Sequence, residues 1–107
     1  MDTITIKLDG EEIVLKPSLQ ATRMISRNFN GLGAARQALV AENFDAVAFV
    51  IRMGSGMKDR EARDLDEKIY REGLTGDLLV QLIQYVAMLG NKGKMMNFGA
   101  DENDNEE

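Results

Sequence analysis

The chain contains neither cysteine nor histidine. The first absence excludes disulfides, thiolate metal sites and a cysteine nucleophile. The second removes the commonest general base together with the commonest transition-metal ligand. No catalytic residue, metal site or cofactor site is read from the sequence. Proline occurs once, and no apolar run reaches the roughly 18 residues needed to cross a membrane. The opening MDTITIKLDG carries an acid and alternating residues where a secretory signal would carry basic residues and an apolar block, so we read no signal peptide and expect a cytoplasmic protein.

The 107 residues, 44% hydrophobic and 29% charged, suit one soluble globular domain with a single core. The net charge of −5 is unevenly placed: residues 101–107 hold five acids (Asp101, Glu102, Asp104, Glu106, Glu107) and no base, leaving a body with thirteen acids and thirteen bases. A neutral body with an acidic end is a poor surface for a phosphate backbone, which needs several cations on one face.

The longest apolar stretch, LTGDLLVQLIQYVAMLG at 74–90, organises the rest. Thr75 can cap its first turn, Asp77 complements the helix dipole, and Leu74 can staple across the cap to Leu79. Gly90 suits a left-handed terminating residue. Leu78, Leu79, Leu82, Ile83, Val86 and Leu89 recur at helical spacing, which predicts a helix buried on most of its circumference.

Upstream, Ile4, Ile6 and Leu8 alternate along TITIKL, and Ile13 and Leu15 alternate after Asp9-Gly10. Two alternating runs joined by Asp-Gly predict a β-hairpin. Pro17 ends it, and Ser18 can cap a helix over 19–29 whose apolar face holds Ala21, Met24, Ile25 and Phe29. Gly31 and Gly33 make a turn before a short alanine-rich helix at 34–42. Asp45 is expected to cap a third helix, with Phe44 stapled to Phe49. Gly54-Ser55-Gly56 reads as a flexible joint. The stretch 58–72, with six acids and five bases, predicts one charged surface helix with a stripe of Ala62, Leu65 and Ile69. The expected fold is mostly α: a hairpin at 3–16, then about five helices in a small bundle, one domain over 1–92, and a flexible acidic tail over 93–107.

Four patterns invite chemistry. The carboxylate neighbours Glu11-Glu12 and Asp66-Glu67 point apart on a strand or a helix and read as solvated surface. GNKGK at 90–94 looks superficially like a phosphate-binding loop, but it follows a helix, its first glycine comes too late, with two residues between the glycines where the motif has four, and Met95 stands where a hydroxyl should hold magnesium. Arg23, Arg27 and Arg36 on two helices joined by a glycine turn imitate a helix-turn-helix, yet the second helix offers few base readers, so we expect no nucleic acid partner. Met95, Met96 and Phe98 sit between glycines just before the acidic end, and can either dock in a partner's groove or pack back on their own domain.

The element order resembles the tail assembly chaperones of long-tailed, siphovirus-like phages, and most closely the gene transfer agent-like members. The residues that carry the resemblance are the hairpin, the segment GLGAARQALVAENFDAVAFVIRMG, and a charged helix running through Tyr70, Gly73 and Leu74 into an apolar helix that ends at GNKGK. It spans about residues 3–94. It implies a protein that is no enzyme and needs no cofactor. Such a protein binds and solubilises the apolar tape-measure protein, helps recruit tail-tube subunits in the host bacterial cytoplasm, is absent from the mature particle, and often has a longer frameshifted form. Under this reading the apolar side chains of the hairpin and of the last helix are expected to make the contact surface, with Leu82, Val86, Leu89, Met95, Met96 and Phe98 as the expected partner-binding residues, and the acidic tail keeps the protein soluble. The alternative is a small cytoplasmic adaptor or regulatory protein acting as a homo-oligomer through its hairpin edge.

Overall fold

A computed structural model describes residues 2–95. A two-stranded antiparallel hairpin, β1 (Ile4–Leu8) and β2 (Glu11–Leu15), precedes six helices: α1 (Leu19–Phe29), α2 (Leu32–Val40), α3 (Phe44–Ser55), α4 (Asp59–Ala62), α5 (Leu65–Glu72) and α6 (Gly76–Leu89). The mostly helical fold with an N-terminal hairpin is the one the alternation and periodicity imply.

The hairpin turns on Asp9 (φ 53) and Gly10 (φ 83). Positive φ at both central residues is the requirement of a type I′ turn, whose twist matches the strands. The register pairs Leu8 with Glu11 and Ile4 with Leu15, so Ile4, Ile6, Leu8 and Leu15 enter the core from one face. That face lies against helices rather than another chain: β1 packs on α5 and α6, and β2 on α3.

α6 runs through the centre, touching α1, α2, α3 and β1. Thr75 caps it, its hydroxyl accepting from the Leu78 amide at 3.2 Å. Leu78, Leu82, Tyr85, Val86, Ala87, Met88 and Leu89 are buried. The Tyr85 hydroxyl finds a partner in the Lys16 carbonyl at 2.8 Å, and burial pushes its pKa up to about 12.

Several local expectations are corrected. The cap of α3 is Asn43, whose side chain accepts from the Ala46 amide at 3.1 Å; Asp45 lies inside the first turn. Phe49 meets Phe29 edge-on, with ring centroids 5.9 Å apart. α2 begins at Leu32 and ends at Val40. Gly54 and Ser55 belong to α3 instead of forming a joint, and only Gly56 (φ 71) takes the left-handed turn. The charged stretch is two helices. Its first half is fastened through the Lys58 amide to Glu61 and through Arg52 to Asp59. Its second half follows the hairpin, where Leu65 and Ile69 are buried and Lys68 holds Glu11 at 2.9 Å. Two halves held by different neighbours cannot share one axis, and the chain bends at Arg63 and Asp64. Gly90 is right-handed (φ −84); the left-handed residues come later, at Lys92 and Gly93.

Candidate partner-binding surface

Three of the expected contact residues are in α6, and the core claims their side chains. Leu82 and Val86 are fully buried, and Leu89 is 7% exposed. The apolar residues of the hairpin's inner face are buried likewise. No partner reaches Leu82 or Val86 while the domain is folded. α6 instead offers Val80 to solvent, beside Gln81, whose amide donates to the Thr5 carbonyl at 3.1 Å.

Met95 is 41% exposed. Its amide donates to the Asp2 carboxylate at 2.6 Å, which ties the end of the described chain to the start of β1. Met96 and Phe98 lie outside the described residues.

The turn after α6 has a definite shape. Asn91 and Gly93 donate to the Met88 carbonyl at 2.9 and 2.8 Å, and Lys94 donates to that of Asn91 at 3.0 Å. These amides serve the chain's own carbonyls and are not aimed at a phosphate. Gly93 has φ +76, and a Cβ there would stand 3.3 Å from that of Pro17. Glycine therefore lets the turn take its left-handed residue and lie against the residue that ends the hairpin.

That close approach makes a groove. Pro17, Ser18, Leu19 and Thr22 from the start of α1 face Leu89, Lys92 and Gly93 across a shallow space of about 300 Å³. Ser18 caps α1 by accepting from the Ala21 amide at 3.0 Å, and this orients the first turn. Ala21 and Ile25 then point into the core, and Leu19 stands off that face, 72% exposed. Leu19 is thus the exposed apolar side chain at this groove, with Pro17 buried behind it and only the rim of Leu89 showing; Gly93, on the opposite wall, comes two residues before Met95. Leu19 was missed from the sequence, although its spacing of four from Arg23 and eight from Arg27 places it on the charged stripe of α1.

Of the carboxylates that invited chemistry, Glu11 pairs with Lys68 and Glu67 with Arg71 along α5, while Glu12 and Asp66 are exposed; further acids are tied in around them. Asp9 receives the Arg71 guanidinium at 2.9 Å, and Glu72 accepts from the Asp9 amide at 2.8 Å. The hydrogen bond to Glu11 holds the Lys68 pKa above its ordinary value, and that to Asp9 does the same for Arg71. These ties clamp the hairpin turn to α5.

The two hairpin edges differ. On β1 the Thr5 carbonyl is taken by Gln81. On β2 the Lys16 amide donates to Gly54 at 2.9 Å, while Glu12 and Val14 border an open groove of about 570 Å³ walled by residues 55–58 and by Glu61, Asp64 and Leu65.

No protein-family model matches the chain, nor does any curated protein or solved structure.

Proposed function

We propose that this chain is a tail assembly chaperone of a long-tailed phage or gene transfer agent-like particle, a non-enzymatic protein that binds the tape-measure protein and helps recruit tail-tube subunits in the host cytoplasm. The resemblance across residues 3–94 supplies the identity of the partners. The observation that carries the surface is exposed Leu19 beside the groove at the end of α6, with exposed Met95 closing the described chain. An exposed leucine beside a groove and an adaptable methionine are the means by which a small domain holds an apolar helix. Leu89 contributes only its exposed rim, and Leu82 and Val86, buried in the core, contribute to folding and not to the contact.

The test is an affinity capture of the chain, tagged at its N-terminus, from cells making the particle. Recovery of a long helical protein together with a tail-tube protein supports the reading. Leu19→Asp with Met95→Asp should abolish that recovery without unfolding the domain; undiminished recovery places the contact elsewhere.

The adaptor reading has one observation in its favour, the open β2 edge at Glu12 and Val14. Strand edges of this kind accept a further strand. Under that reading Val14→Pro, which removes an edge amide, should convert an oligomer to a monomer in light scattering.

A further inference from the structure

Between Glu12 and Glu42 the chain contains no acid, and it places Lys16, Arg23, Arg27 and Arg36 in that span. Arg23 and Arg27 lie one turn apart on α1, both exposed. Neither pairs with an acid among the described residues, where the ion pairs involve Arg52, Lys68 and Arg71. Leu19 continues the same stripe toward the N-terminus of α1, so that one side of this helix reads apolar, basic, basic at intervals of four.

The described chain passes the N-terminal end of that stripe two residues before it ends at Met95. Gly93 lines the same groove as Leu19 and Thr22, and Lys92 and Lys94 flank it. Twelve residues follow Met95, and five of the last seven are acids. From Leu19 to Arg27 the helix rises about 12 Å at 1.5 Å per residue. Met95 lies two residues, at most about 7 Å, from Gly93, and the nine residues 96–104 span about 30 Å when extended. Acids in the second half of the segment therefore reach both arginines without moving any described element.

We propose that the acidic segment 101–107 docks on the Arg23–Arg27 stripe of α1 in its own chain. Charge complementarity selects this face, because the hairpin turn and α4–α5 carry acids of their own. Exposed pairs are individually weak, but a short tether supplies an effective concentration in the millimolar range, enough to populate a weak contact within one molecule. The docking does not depend on the partner-binding reading above.

The absence of cysteine permits a clean test. A nitroxide attached to Asn105→Cys in the full chain is the only label, and paramagnetic broadening of backbone amides is read without any partner present. The expected result is several-fold broadening over Leu19–Arg27, lost near 1 M salt, where the screening length falls to about 3 Å, and lost in Arg23→Glu with Arg27→Glu. Both arginines are exposed, so the reversal leaves the fold intact, which the unchanged positions of core amide signals would verify. Broadening absent from α1, or unaffected by the reversal, overturns the proposal. So does broadening of α1 in an isotope-labelled chain mixed with a separate spin-labelled chain, which would make the contact one between copies. Loss of tape-measure capture with the docking signal intact would overturn the functional reading alone.

Discussion

A Cβ placed on Gly54 would lie 2.9 Å from Cζ of Tyr85. The ring cannot retreat, because it is fully buried and its hydroxyl is bonded to the Lys16 carbonyl. The same turn of α3 offers its Gly54 carbonyl to the Lys16 amide. One glycine therefore sets the spacing among α3, α6 and the end of the hairpin. Gly54→Ala should destabilise the protein: overpacking costs about 1–3 kcal/mol, offset by up to about 1 kcal/mol of helix propensity. Urea denaturation gives the value, and an unchanged or raised midpoint would show that the ring yields.

Tyr85 also fixes a pH dependence. Its pKa is raised from 10.0 to about 12 by burial, so the folded state keeps a proton that the unfolded chain releases. The stability this represents is fully present below pH 10 and is lost as the pH rises through about 12. In Tyr70→Phe, where Tyr85 is the remaining tyrosine, absorbance titration should find phenolate appearing only near pH 12 or together with unfolding. Phenolate near pH 10 in a folded protein would contradict the burial.

The caps separate two side chains, two residues apart, that look alike in the sequence. Asn43→Ala should cost about 1 kcal/mol, as loss of a helix cap does. Asp45→Ala removes only a charge near the dipole and should cost about 0.3–1 kcal/mol. Thermal denaturation of the two variants under one buffer decides the order.

Burial separates folding from binding. Leu82→Ala leaves a cavity in the core and should cost about 2–5 kcal/mol. Met95→Asp alters an exposed side chain, where changes usually stay within about 0.5 kcal/mol. A capture defect in the second with an unchanged melting temperature identifies a contact residue; a defect in the first does not.

What the sequence determined by itself is what depends on near neighbours. Asp9-Gly10 specifies a turn because both residues tolerate positive φ, and Ser18 and Thr75 reach amides three residues ahead. The 3.6-residue period of 78–89 marks a buried helix whatever surrounds it. The tertiary structure decided the rest, because each remaining choice rests on a residue far away in the chain. The break at Arg63 and Asp64 follows from ties to Glu11 and Asp9 in the hairpin. The rigidity of Gly54, which looked like a hinge beside Gly56, comes from a ring thirty-one residues later. The proposed contact surface moved for the same reason: an apolar periodicity cannot say which leucines the rest of the chain will cover. Here the hairpin and α1–α3 cover Leu82 and Val86, and Leu19, one residue past a good cap, is left in solvent.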